Sequence, residues 1–158
     1  MPERAETRNR TPRRILAVVL ALGGLLGAAG SVLEGIHLLR TGTAPRAIGD
    51  GISLLLYAEA IYAGILLWRS GARKSIALAL MSFLLQIPII SYKGWVYTFS
   101  TLLNVRLIFG DVNRHLLADL ASSSNIYYSP GQTVWMIGIN LVGVAGVCYL
   151  LWLSRSEA

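Results

Sequence analysis

Apolar residues gather along this chain into four long runs, set apart by short polar stretches and by one long mixed segment. The runs extend from Ile15 to Leu39, Ile48 to Trp68, Ser75 to Tyr92 and Thr133 to Leu153. Each approaches or exceeds the roughly 20 residues that an apolar helix needs to cross a bilayer. The pattern therefore predicts transmembrane helices over 15–39, 48–68, 75–92 and 133–153. Asp50 and Gly51 delay the full second helix to Ile52, and Pro88 kinks or frays the last turn of the third. The expected fold class is an all-α membrane protein, a four-transmembrane-helix antiparallel bundle over residues 15–153. A polar, disordered tail at 1–14 precedes it and a short tail at 154–158 follows.

Residues 93–132 do not fit the helical pattern. They are too many for a bundle connection, which usually takes about 2–8 residues, so this segment is expected to be extracytoplasmic with structure of its own. Trp95–Phe99 and Val105–Phe109 are rich in β-branched and aromatic residues and predict two short strands. Asp111–Ala121 reads as a short helix with Asp111 at its N-cap and Val112, Leu116 and Leu120 on one face. Ser122–Gly131 reads as a turn-rich return.

Composition agrees with a membrane location. The chain is 54% hydrophobic and 14% charged, against about 25% charged in an ordinary soluble domain. Its net charge of +6 would in a soluble protein raise nucleic acid as a partner, but the basic residues lie in short segments beside the apolar runs, so none is expected. Nine of the fourteen Lys and Arg fall in the two tails and the second loop, five in the remaining loops. With the positive-inside rule this gives an N-in, C-in topology, expected in a bacterial cytoplasmic membrane. Trp68 and Trp152 then lie at the inner interface, Trp95 and Trp135 at the outer one. An alternative for the start is a cleaved signal peptide with Arg13-Arg14, Ile15–Leu26 and Gly27–Gly30 as its parts, but the apolar run continues to Leu39. The single cysteine, Cys148, excludes an intrachain disulfide and CxxC redox chemistry.

Two kinds of residue carry the functional expectations. Gly23, Gly27, Ser31 and Gly35 form a small-xxx-small series on the first helix, and Gly138 and Gly143 lie in the fourth; such stripes let helices approach closely in lipid. The first and fourth helices are therefore expected to make the closest approach, or to leave a seam open for a partner chain. The ionisable candidates are Glu34 and His37, three residues apart near the outer end of the first helix, and Glu59 with Tyr62 inside the second. An intramembrane carboxyl is costly, by about 2.5–3.5 kcal/mol at a helix centre, and points to a binding or proton-pathway role or to a hydrogen bond between helices. Glu34 and Glu59 are expected to point into the bundle; a water-lined pocket between them would favour transport or sensing, and a dry, hydrogen-bonded Glu59 would not. Asn140 and Cys148 read as packing residues of the fourth helix.

No phosphate-binding loop, zinc-protease motif or nucleophile elbow occurs, and no catalytic residue, metal site or cofactor is expected. The expected function is that of a non-catalytic polytopic membrane subunit, assembly factor or sensor, with the lipid bilayer and a homo- or hetero-oligomeric membrane partner around it. The alternatives are a small oligomeric transporter or channel using Glu34, His37 and Glu59, and a membrane enzyme acting on a lipid or quinone.

Overall fold

The computed structural model describes residues 3–41, 44–70, 72–111, 115–129, 131 and 133–156, with the side chains of 3–10, 39, 41, 44–47 and 156 left aside. Four helices and six strands follow one another as α1 (Glu3–Thr41), α2 (Ala44–Arg69), α3 (Arg73–Gln86), β1 (Pro88–Tyr92), β2 (Trp95–Ser100), β3 (Leu103–Gly110), β4 (His115–Leu120), β5 (Ser123–Tyr128), β6 (Met136–Asn140) and α4 (Leu141–Ser156). Among the described residues, only α1 and α2 contain stretches long and apolar enough to cross a membrane, Thr11–Leu38 and Ile48–Arg69. This overturns the all-α four-helix bundle, and with it the description of an integral membrane protein built on four spans. The helix also begins at Glu3, within the stretch whose composition suggests a disordered tail.

The third and fourth apolar runs are each half helix and half strand. In the third, α3 ends at Gln86 because Pro88 has no N–H for a further helical bond; Ile87 before it still keeps helical backbone, at φ −69° and ψ −52°. The chain continues as β1 through Pro88-Ile-Ile-Ser-Tyr, where the β-branched residues suit a pleated sheet. The carbonyls at the end of α3 find partners in the sheet region: Tyr97 Oη donates to Leu85 O at 2.7 Å, and the Ile87 carbonyl accepts from Asn140 N–H at 2.9 Å. In the fourth run, β6 passes into α4 at Asn140, whose Oδ1 accepts from Val142 N–H at 3.1 Å, as an N-cap does. Asn140 is thus a cap at a strand-to-helix junction, not a packing residue inside a span. Cys148 is exposed on α4 rather than part of its core.

All six strands form one antiparallel sheet in the order β4-β3-β6-β1-β2-β5. Of the sequence expectations in this region, the strands at 95–99 and 105–109 correspond to β2 and β3. The helix expected over 111–121 is replaced by β4 from His115, with 112–114 outside the described residues. The turn-rich return contains β5. β1 and β2 join through Lys93 and Gly94, both at positive φ (49° and 86°), a two-residue turn whose twist matches that of a hairpin. The two edge strands, β4 and β5, are joined by Ala121 and Ser122 alone. Three Cα steps span at most about 11 Å, so the sheet must curl until its edges approach at that end.

The curl turns the polar face inward. Ser100, Asn104, Arg106, Ser123 and Asn140, drawn from strands on opposite sides of the sheet, line one tight interior space with no room for a water molecule. There, with its amide oxygen turned toward Arg106, Asn104 accepts from Arg106 Nε at 3.0 Å and from Ser100 Oγ at 3.1 Å. Arg106 in turn pairs with Asp119 across β3 and β4. The outer face is apolar: one row of partners across the sheet reads Phe109, Ile137, Ile90, Tyr97 and Ile126. The hairpin of α1 and α2 covers this face at β2 and β5, where Tyr57 stacks on Phe99 with ring centroids 5.0 Å apart.

Below the sheet, the four helices share a core of Ala17, Leu20, Ala60, Ala63, Leu67, Ile76, Ala79, Phe83, Leu150 and Leu153. The closest helix pairs are α1 with α2 and α3 with α4, not the first with the fourth as the glycine stripes suggest. The glycines serve those pairs. A Cβ at Gly27 would meet the Tyr57 ring at 2.1 Å, and one at Gly146 the Phe83 ring at 2.6 Å. Gly23 instead lets the sheet approach α1, because a Cβ there would meet Leu102 N at 2.6 Å, and its carbonyl accepts from Ser122 Oγ.

Candidate functional site at the outer end of the hairpin

Asp50 and Glu34 lie on the two arms of the α1–α2 hairpin, each about eight residues from the turn, so antiparallel packing sets them side by side. Strand β5 closes the third side. Its approach depends on Gly49: a Cβ there would fall 1.6 Å from Ile126 O, so only glycine lets the edge strand rest on the helix backbone. Together Glu34, which is itself exposed, Leu38 and Asp50 with Ser124, Asn125, Ile126 and Tyr127 line a partly open cavity of about 100 Å3. Gly35 leaves the Asp50 carboxylate room, with Oδ2 3.9 Å from where its Cβ would stand. Asp50 Oδ2 is buried and has no hydrogen-bond partner. Two carboxylates facing one small polar cavity attract a counter-charge, either a shared proton or a small cation.

The other ionisable candidates lie elsewhere. His37 is not among the residues lining this cavity. Glu59 faces α3, where its Oε2 accepts from Ser82 Oγ at 2.5 Å. Tyr62 is 57% exposed on the outside of α2. Glu34 and Glu59 are therefore not joined by a pocket. Asp50 and Tyr57, seven residues apart, share a face of α2 while Glu59 lies on the opposite one. Below the carboxylates that face is filled by Tyr57, 1% exposed, whose ring packs on Gly27 and Phe99 and whose hydroxyl hydrogen-bonds Ser124.

Of the small residues singled out in the sequence, Gly23 and Gly27 make the close approaches described, and Ser31 is buried. Gly35 lies beside the cavity. Gly143 packs on the Phe83 carbonyl and Ile87, and Gly138 lies in β6, where a Cβ would fall 2.7 Å from Leu107 O. The residue that sequence reasoning missed is Asp50, read there only as an interruption of a span. The signal was the hairpin arithmetic itself, since a short turn places an acid eight residues after it beside one eight residues before it. Among the described residues, no group of three or more His, Cys, Asp and Glu converges to hold a metal ion. Comparison of the chain with family models, curated proteins and solved structures gives no match in any of the three.

Proposed function

We propose that the chain is a non-catalytic membrane sensor or subunit, held in the bilayer by the α1–α2 hairpin, that takes up a proton or a small cation between Glu34 and Asp50. The observation that carries this reading is the small polar cavity at the outer end of the hairpin. Its carboxylates meet no arginine or lysine among the lining residues, and Glu59 lies on the opposite face of α2. A site that does not continue to Glu59 favours sensing over conduction.

Charge and aromatic placement support an orientation. Arg14 lies over the Trp68 ring, 5.1 Å from its centroid, at the end of the hairpin that also carries Arg69, and α3 starts nearby with Arg73 and Lys74. Basic and aromatic residues at one end are what a cytoplasmic interface collects. This supports N-in, C-in insertion, with the Glu34–Asp50 cavity toward the far side and the sheet packed along the outer half of the hairpin, from the level of Gly23 and Tyr57 outward.

The test is the thermal midpoint of the full chain in mild detergent, measured across pH 4–8 and with added Na+, Mg2+ or Ca2+. A midpoint that responds to protons or to one cation in the native chain, and no longer responds in Glu34→Gln/Asp50→Asn, supports the reading. An unaltered response in the double variant places the sensing group elsewhere and overturns it.

A further inference from the structure

The two edges of the curled sheet are treated differently. β5 is seated on α1 and α2, whereas among the described residues no strand pairs with the outer edge of β4. Leu116 and Leu117 point to opposite faces of β4 yet are 67% and 47% exposed, and Leu120 is 79% exposed. Proteins usually blunt such an edge with lysine, proline, a bulge or a covering helix. β4, His-Leu-Leu-Ala-Asp-Leu, has none of the first two, and its six residues pair with β3 in unbroken register.

From this edge we infer that β4 pairs antiparallel with β4 of a second copy, about a twofold axis at Leu117, to make one continuous sheet across a homodimer. The sequence of the strand is self-complementary about that residue. His115 falls opposite Asp119 of the second copy, Leu116 opposite Ala118, and Leu117 opposite itself. On the polar face this sets an imidazole against a carboxylate at both ends of the contact; on the apolar face it sets a large side chain against a small one. Asp119 already pairs through Oδ2 with Arg106, and its Oδ1 is buried without a hydrogen-bond partner within the chain. Opposite charges and complementary sizes in directly opposed positions stabilise antiparallel pairs, and like charges there oppose them. A one-residue slip would lose both matches and turn the faces over. The contact is isologous, so it closes at two copies and does not propagate. It uses no residue of the Glu34–Asp50 cavity, and it stands or falls separately from the sensing reading.

Cross-linking of the full chain in native membranes tests the register, in a Cys148→Ser background. Opposed Cα atoms in antiparallel strands lie about 4.5 or 5.5 Å apart, both within disulfide reach. Leu117→Cys is therefore expected to cross-link to a dimer under mild oxidation, and Leu116→Cys and Ala118→Cys several-fold less. Co-expressed His115→Cys and Asp119→Cys chains are expected to cross-link to each other. In mild detergent, Leu117→Lys places two ammonium groups face to face, and the mass of the complex is expected to halve. Mixing Leu117→Lys with Leu117→Glu chains should restore the dimer, which a merely misfolded variant would not do. A native chain that is monomeric by mass and has no cross-link at Leu117, or a Leu117→Lys chain that stays dimeric, overturns the proposal. In the first case quenching by brominated lipid at Trp introduced for Leu116 would identify acyl chains as what covers the edge.

Discussion

The backbone N–H of Asn140 donates to the carbonyl of Ile87 across 2.9 Å, which fastens the point where α3 becomes β1 to the point where β6 becomes α4. Two helix–strand junctions that are 53 residues apart in sequence are thus neighbours, with Pro88 paired to Ile139 just above them. Asn140 is 1% exposed and also caps α4, so one residue holds the sheet to the helices beneath it.

Asn140→Ala is accordingly expected to destabilise the chain by about 1–2 kcal/mol, the usual cost of a lost N-cap, while Asn140→Asp keeps the capping oxygen. Urea unfolding in detergent, followed by tryptophan fluorescence, measures the difference. Equal midpoints for the native and alanine chains would show that the cap contributes nothing.

Glycines on one helix should respond in opposite ways. Gly27→Ala drives a methyl into the Tyr57 ring, 2.1 Å away, and overpacking of this kind costs typically about 1–3 kcal/mol. Gly30 has nothing within 4 Å of a Cβ, so Gly30→Ala is expected to stabilise by up to about 1 kcal/mol through helix propensity. Thermal midpoints of the two variants moving in the same direction would contradict the packing of α1 on α2.

Burial pushes the Tyr97 phenol above its ordinary value of 10.0. The folded chain then holds that proton more tightly than the unfolded one, so its contribution is complete below pH 10 and is lost as pH rises through the folded value. Ionisation also removes the donor to Leu85 O. Tyr97→Phe should therefore show a shallower loss of stability between pH 9 and 11 than the native chain in urea titrations at a series of pH values.

Reporter fusions test the orientation. Fusions after residue 72 and at the C-terminus are expected to report the cytoplasm, and an insertion between Lys93 and Gly94 the opposite side. A cytoplasmic signal from the 93–94 insertion would reverse the sheet with respect to the bilayer.

Inside the sheet, the Arg106–Asp119 pair is only partly shielded, at 21% and 36% side-chain exposure. Arg106→Met and Asp119→Leu should each destabilise, since each leaves a charge facing the interior without its partner, whereas the double variant should be closer to the native chain. A double-mutant cycle on the denaturation midpoints measures the coupling, and simple additivity of the two losses would show that the pair is not coupled.

The hairpin is legible in the chain alone. Two apolar runs with basic and aromatic ends and a short connection between them fold most simply as a pair of antiparallel helices, and their length and glycines follow from local pattern. Also legible are β2 and β3, whose aromatic and β-branched residues prefer a pleated backbone wherever they lie. The division of the third and fourth runs rests instead on long-range contacts. An unbroken apolar run has the same appearance as a buried helix or as a strand, because periodicity distinguishes the two only when one face is polar. Here Pro88 and Asn140 mark the division, yet each becomes decisive only through a partner far along the chain, Ile139 for one and Ile87 for the other. The same holds for β4, whose leucines at 116 and 120 fit one face of a helix as well as one face of a strand until β3 supplies its hydrogen bonds. Asp50 belongs to this second group: its chemistry depends on Glu34 across the hairpin and on the cavity that β5 completes, and neither is local to it.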